Sequence, residues 1–347
     1  LINGEEQKAG EEYKCLSFEL PKTGQIRMSY ASAYGLKNIE LDRNIELYSN
    51  ENIITIEDVL SSDKYTLTEN LITYIKPKIE NKRILLTGKK ATLCIDVVNG
   101  GNININGGMV TAGADGAAGV YYTGDGGTIT NNAAVMNIGD NSFGFVIKND
   151  TLSVGNTLHS NTSNVSLGNN TTYIYSNDRL GQIHNNTNLT STGNENYGIY
   201  SDGTVNNFGN INFVSGIGNV GIYSLNNGLA INNAIISVGA SDISAENLED
   251  RKYSLGMAAG YKTYGTGNII NNGIINVNGN DSIGMYATGE GSIARNSTGG
   301  IINLGADGAI GMYLDEKAKG YNDGIIQTTP GKKPNVAIGV VVRKGAT

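Results

Sequence analysis

The sequence predicts an all-β chain wound into a right-handed parallel β-helix, with an irregular β-rich region at its N-terminal end. Three observations carry this. A nine-residue motif recurs: residues 113–121 read GADGAAGVY and residues 305–313 read GADGAIGMY, with looser copies from Gly139, Gly193, Gly216 and Gly279. The second glycine of the motif falls at Gly119, Gly144, Gly198, Gly221, Gly256, Gly284, Gly311 and Gly339. Their spacing is about 27 residues, or two such periods between Gly144 and Gly198, which signals stacked repeats. Glycine supplies 48 of 347 residues, about twice the usual share, while no helix-length periodic segment interrupts the short β-branched runs.

The N-terminal region is set apart by composition. Residues 1–95 hold 27 of the 57 charged residues but only 5 glycines, so a boundary is expected near Gly100-Gly101-Asn102. The domains are then 1–99 and 100–347. Residues 38–47 repeat the pattern Asn-Ile-Glu-Leu with apolar residues alternating, and 53–56, 71–75, 83–86 and 93–98 are further β-branched runs. Residues 56–61 read as a short helix. The region is expected to form either non-standard rungs or a small subdomain, a cap on the core or an adhesive unit, because a solenoid's terminal repeat must close the core against water. Cys15 and Cys94, the only two cysteines, are candidates for a disulfide, with two separate thiols as the alternative.

One unit shows the parts of the repeat. From Gly279 a turn leads into a strand at 283–287, a second turn into a strand at 292–295, and a third into a strand at 301–304. Three strands in about 27 residues fit one turn of a β-helix, whereas a propeller blade needs roughly 40–45 residues with four strands. Right-handedness follows from the preference of parallel crossovers. Stacking at about 4.8 Å per rung gives a rod of roughly 40 Å. Strict alternation along the first strand places the residues on both sides of the motif glycine inward, as with Tyr197/Ile199 and Ile283/Met285. The glycine and the tyrosine two positions after it then face outward. Asparagine pairs (131–132, 185–186, 206–207, 232–233, 271–272) precede the third strand. They suit tight turns and stacked amide ladders.

Candidate functional residues follow from these faces. Tyr121, Tyr200, Tyr223, Tyr286 and Tyr313 form an expected outward column that can stack sugar rings, dock a protein, or simply stiffen the rod. The unit from Gly221 to Gly256 spans 35 residues. Its excess falls at 241–254, a longer loop with Glu246, Glu249, Asp250, Arg251 and Lys252, and solenoids place such insertions on their flank.

Catalysis and metal binding have little support. His159 and His184 sit in Asn/Thr-rich rungs and read as solvent-facing bystanders, with no cluster at ligand spacing. Asp115, Asp281 and Asp307 recur once per unit, as turn caps do, rather than as an acid pair. The calcium nonapeptide GGxGxD is missing, and no cofactor is expected. Asn161, Asn170 and Asn188 match Asn-x-Ser/Thr by chance in an Asn-rich chain. Net charge −7 without a basic stripe argues against nucleic acid. No window of 18 apolar residues suggests a transmembrane helix. The chain opens at Leu1 without a signal-peptide pattern, as expected of a piece excised from a longer polypeptide.

Residues 267–326, with the step Asn-Asn-Gly-Ile-Ile followed by Gly-x-Asp-x-Ile-Gly-Met-Tyr at 271–286 and more loosely at 296–313, resemble the passenger repeats of the large fusobacterial type V autotransporter adhesins. That family includes the arginine-inhibitable and galactose-sensitive adhesins. The resemblance covers residues 100–347. It implies a secreted, surface-displayed β-helical stalk, held in the outer membrane by a C-terminal barrel that lies outside this sequence. It also implies non-covalent attachment to host or bacterial surface ligands, protein or glycan, by a monomer that is not an enzyme. The alternatives are a β-helical polysaccharide-degrading enzyme and an inert stalk.

Overall fold

A computed structural model describes residues 102–347 apart from 114, 150–153, 248–249 and 262–264, together with seven N-terminal strands. Contacts divide the chain into two units, Leu1–Val97 and Val98–Thr347.

In the first unit, strands Ser17–Glu19, Gln25–Ser29, Leu41–Tyr48 and Ile53–Leu60 pair antiparallel in chain order. Pro77–Glu80, Arg83–Thr87 and Thr92–Asp96 form a second antiparallel sheet. These strands are meanders, not rungs. Where a helix was expected at 56–61, residues 56–60 belong to a strand and residue 61 lies outside the described residues. Residues Ile53 to Leu60 pair in unbroken register with Tyr48 to Leu41, and cross-strand pairing overrides a weak local helical tendency. The expected strand at 71–75, Cys15, and the side chain of Cys94 lie outside the described residues.

The second unit is a right-handed parallel β-helix of about nine turns, roughly 26 residues apart. A complete rung runs Tyr197–Ser201, Thr204–Asn207, Ile211–Phe213, and the next begins at Val220–Ser224. The first and second sheets each hold nine parallel strands. The third sheet has a two-stranded piece, Met109–Ala112 with Val135–Ile138, and a seven-stranded piece from Asn164–Leu167 to Ile325–Thr328. Inward side chains such as Ile199, Val205, Ile211 and Phe213 are wholly buried. They stack with their register partners into continuous apolar columns.

The motif glycine breaks the expected alternation. Ladder partners skip it: Tyr197 pairs with Val220 and Ile199 with Ile222, leaving Gly198 and Gly221 between them. It therefore sits in a local irregularity of the bulge kind, which consumes one residue without changing faces. The residue after it points inward as expected. The residue before it is buried in two rungs, Val220 and Ile283 at 5% exposure each, but Tyr197, Phe143 and Ile310 are only half-buried, and the Tyr197 ring packs on Tyr200 and Tyr223 on the outer face. The glycine itself faces inward. A Cβ on Gly221 would lie 2.5 Å from the Gly256 carbonyl oxygen and 3.0 Å from Ile236 Cγ2, a core atom. Space, not backbone dihedral, excludes a side chain there.

The exception shows how the core compensates. In the strand Thr172–Ser176 the glycine slot holds Tyr173, whose ring is fully buried against Phe145, edge to face at 5.5 Å. Its hydroxyl reaches Ser160 Oγ at 2.7 Å and Thr187 Oγ1 at 3.2 Å. Ser160 stands where neighbouring rungs carry a buried asparagine. A large residue and a small one have exchanged places across the core, and the phenol completes the polar column.

That column is the expected amide ladder. Asn185, Asn207, Asn232, Asn271, Asn296 and Asn322 succeed one another, each Nδ2 donating to the next Oδ1 at 2.8–2.9 Å. The same amides also hold their own turns, as Asn232 Nδ2 does by donating to the Ala234 carbonyl at 2.9 Å. An outer ladder runs from Asn186 through Asn161 and Asn132 to Asn106. At the strand Ala337–Val342 the inward positions Val340 and Val342 are 45% and 52% exposed.

Candidate functional site

The first sheet carries the most differentiated outer surface. Register aligns Tyr121, Val146, Tyr175, Tyr200, Tyr223, Ala258, Tyr286, Tyr313 and Val341 in one column. All five sequence-predicted tyrosines lie on it, each half-buried. Tyr175 was missed because its rung lacks the glycine, and Tyr197 because strict alternation turned it inward.

The rings gather into three groups. Tyr121 lies under Lys148 Nζ at 5.8 Å. Tyr286 and Tyr313 tilt together at 5.8 Å, and Arg343 donates to the Tyr313 hydroxyl at 2.7 Å. The central group is the largest. Tyr175 and Tyr200 stack at 5.4 Å with planes 22° apart. Tyr200 meets Tyr223 edge to face at 5.2 Å, and Tyr197 stacks on Tyr223 at 6.3 Å. Stacking along the rod turns ring faces toward one another and leaves edges and hydroxyls outward.

Burial governs their titration. The Tyr200 hydroxyl is pushed up to about 12, first by burial, then by the Asp202 charge and neighbouring phenols. Burial and the phenols around it push Tyr223 higher still, and burial with Glu195 raises Tyr197. At neutral pH Tyr197, Tyr200 and Tyr223 are un-ionised. Tyr223 uses its hydrogen on the Gly260 carbonyl, at 2.8 Å. That contact carries its ring toward Ala258, which is 2% exposed.

Both turns of the rung containing Ala258 are enlarged. Sixteen residues separate Val238 from Leu255 on one side, and seven separate Ala259 from Gly267 on the other. The ladder asparagines Asn232 and Asn271 are consequently 39 residues apart, against 25 on either side. The first excursion is the expected loop, and it is ordered by its own bonds. Asp242 and Lys252 exchange two backbone hydrogen bonds of 2.9 Å, Ser244 donates to the Asp242 carboxylate, and Arg251 Nε donates to the Ala245 carbonyl at 3.0 Å. Lys252 ion-pairs with Glu195, from an earlier rung. Glu246 and Asp250 are exposed; Glu249 lies outside the described residues.

The second excursion, pinched by a Tyr261–Gly265 bridge, was not expected from the sequence. Its only signal is the glycine-flanked run 260–267. Tyr261 is 52% exposed and lies near enough to Tyr200 and Tyr223 to influence their titration. Asp202 sits on the same side. Its carboxyl is raised by burial against the pull of Asn226, which donates to it at 2.7 Å. The central tyrosines thus lie between an excursion anchored at Glu195 and another beside Asp202.

The remaining candidates fall elsewhere. Asp115 and Asp281 adopt left-handed turn conformations, φ 58° and 56°, and Asp307 accepts from the Asn335 backbone and amide in the next turn. Asp281 and Asp307 lie in the same turn of adjacent rungs, the Asp281 N–H donating to the Asp307 carbonyl at 3.0 Å, whereas Asp115 lies several rungs away. Among the described residues no group of three or more His, Cys, Asp or Glu is placed to hold a metal. His159 and His184, expected as unrelated bystanders, are brought side by side: they are register partners in adjacent strands, with rings stacked at 4.9 Å.

This architecture defines a right-handed parallel β-helix whose core is sealed by glycines and amide ladders and whose first sheet displays ordered side-chain columns. The chain belongs to the BigA third pectate lyase-like domain family, whose model matches residues 45–324. The match begins within the first unit and runs through most of the second. No curated protein and no solved structure matches the chain. No helix among the described residues is long and apolar enough to cross a membrane.

Proposed function

We propose that the chain is a passenger segment of a large surface adhesin of the fusobacterial autotransporter kind. It is displayed outside the cell, anchored through a barrel elsewhere in the polypeptide, and attaches non-covalently to a protein or glycan on host cells or partner bacteria. The observation that carries this reading is the central tyrosine group, bracketed by both enlarged turns of a single rung. A uniform stalk has no use for two excursions flanking its most aromatic surface. Membership of a BigA domain family supports surface display. In this reading the contact surface comprises Tyr197, Tyr200, Tyr223, Tyr261 and the 241–254 excursion, with residues 1–99 as a second, separate candidate.

Beads coated with the full chain should adhere to epithelial or partner bacterial cells. Tyr200→Ala with Tyr223→Ala, or replacement of residues 242–252 by a short Gly-Ser turn, should remove most of that adhesion while circular dichroism stays unchanged. Unaltered adhesion in both variants moves recognition to residues 1–99, and no adhesion by the parent chain leaves the inert stalk. The pectate lyase-like family description keeps a polysaccharide-degrading enzyme as the second reading. Release of oligosaccharides from polygalacturonate or another polysaccharide, with turnover, would replace attachment with catalysis.

A further inference from the structure

We propose that His159 and His184 form a two-imidazole site for a divalent transition-metal ion, copper(II) first and zinc(II) second, on the outer face of the second sheet. This goes beyond attachment and does not rest on it. The two are the only histidines in the chain, and register places them directly opposite in the parallel strands Thr157–Ser160 and Gln182–Asn185. Their rings lie 4.9 Å apart with planes only 11° from parallel. Both side chains are half-exposed, and neither imidazole has a hydrogen-bond partner among the described residues.

The scaffold beneath them is fixed. Leu158 and Ile183, between which the strands anchor, are buried in the core. Two positions along, Asn186 Nδ2 donates to Asn161 Oδ1 at 2.8 Å and ties the same two strands on the outer face. A metal held at about 2.0–2.1 Å from each nitrogen needs those nitrogens roughly 3.3 Å apart. Rings already stacked at 4.9 Å reach that separation by tilting at their side-chain torsions, without moving the backbone. Imidazole suits copper, nickel and zinc, and the general affinity order favours copper(II). Water fills the remaining positions, and a chain of net charge −7 concentrates cations near its surface.

The test uses the full chain and the metal ions alone. Calorimetric titration with Cu²⁺ should give one site per chain, and electron paramagnetic resonance should show two equivalent nitrogens. His159→Gln and His184→Gln should each weaken binding at least about tenfold, because the second imidazole acts as a tethered donor at high effective concentration. Mg²⁺, a hard ion that prefers oxygen, should not compete. Thr130 is the register partner of His159 on the other side, so Thr130→His should add a third nitrogen and tighten binding. Single-histidine variants that bind like the parent, a one-nitrogen spectrum, or no gain in Thr130→His would each overturn the proposal.

Discussion

Replacing Gly221 by alanine tests the central claim about how the rungs close. The new methyl would stand 2.5 Å from the Gly256 carbonyl oxygen and 3.0 Å from Ile236 Cγ2. The side chain can turn away, but the carbonyl belongs to the next rung's backbone and cannot move alone. Overpacking of this kind costs about 1–3 kcal/mol. Restricting the unfolded chain returns about 0.4–1 kcal/mol, a contribution common to any Gly→Ala change. The control is built into the molecule. Gly339 occupies the same slot in the last rung, where an added Cβ meets only Ile326 Cγ2, at 4.0 Å. Gly339→Ala should therefore be neutral or slightly stabilising. At roughly 2–4 °C per kcal/mol for a unit of this size, Gly221→Ala should melt several degrees below Gly339→Ala by circular dichroism, with the urea midpoint moving the same way. Equal midpoints for the two variants would refute the steric account and return the glycine to an ordinary outward position.

Further outcomes follow from the polar core and the phenols. Asn232→Ala removes a buried amide bonded to Asn271 and Ala234 and leaves one Asn207 N–H without its acceptor, the other still donating to the Gly209 carbonyl; at about 1 kcal/mol per bond plus 1–3 for the orphaned donor, urea unfolding should show a loss of roughly 3–5 kcal/mol. Asn272→Ala, in the exposed ladder to Asn233, should cost under about 0.5 kcal/mol in the same assay. Tyr173→Gly and Ser160→Asn should each lower the thermal midpoint, whereas the double variant, which restores the slot pattern of neighbouring rungs, should lose less than the sum of the two. In alkali, Tyr173 and Tyr200, both pushed up to about 12, should ionise after the ordinary phenols when absorbance at the phenolate band is followed. The folded chain then holds protons that the unfolded chain has released, so their stabilisation is intact below about pH 10 and is lost as pH rises through about 12. Tyr200→Phe should flatten that decline.

The period and the architecture were legible because each rung repeats its punctuation: Gly221, Gly284 and Gly311 carry the phase that Ile222, Met285 and Met312 follow into the core. The asparagine pairs announced a ladder, since only a residue that both donates and accepts can repeat along the axis. What misled was a two-residue periodicity carried through a bulge. It reversed the faces of Gly198 and Tyr197, and hid Tyr197 from the outer cluster. Tyr173 was obscure for a related reason: its tolerance depends on Ser160, a contact that local sequence cannot reveal. The 241–254 excursion was visible as excess length between two glycines. The one around Tyr261 was not, because its seven residues change the glycine spacing by at most one relative to the units that follow. The proximity of His159 to His184 required knowing the register, which the irregular spacing through residues 144–198 concealed.

The amide ladder has a mechanical consequence. Strands lie across the axis of the second unit, so both the backbone bonds between rungs and the Asn185–Asn322 column beside them point along it. Tension applied to the two ends of this unit loads those seams in series, one above another. Each seam that yields frees about one turn of chain: the 25 residues between Asn207 and Asn232 extend to roughly 80–90 Å. The unit then behaves as a stack of catches that release singly, paying out length under load while the rungs beyond the break stay wound.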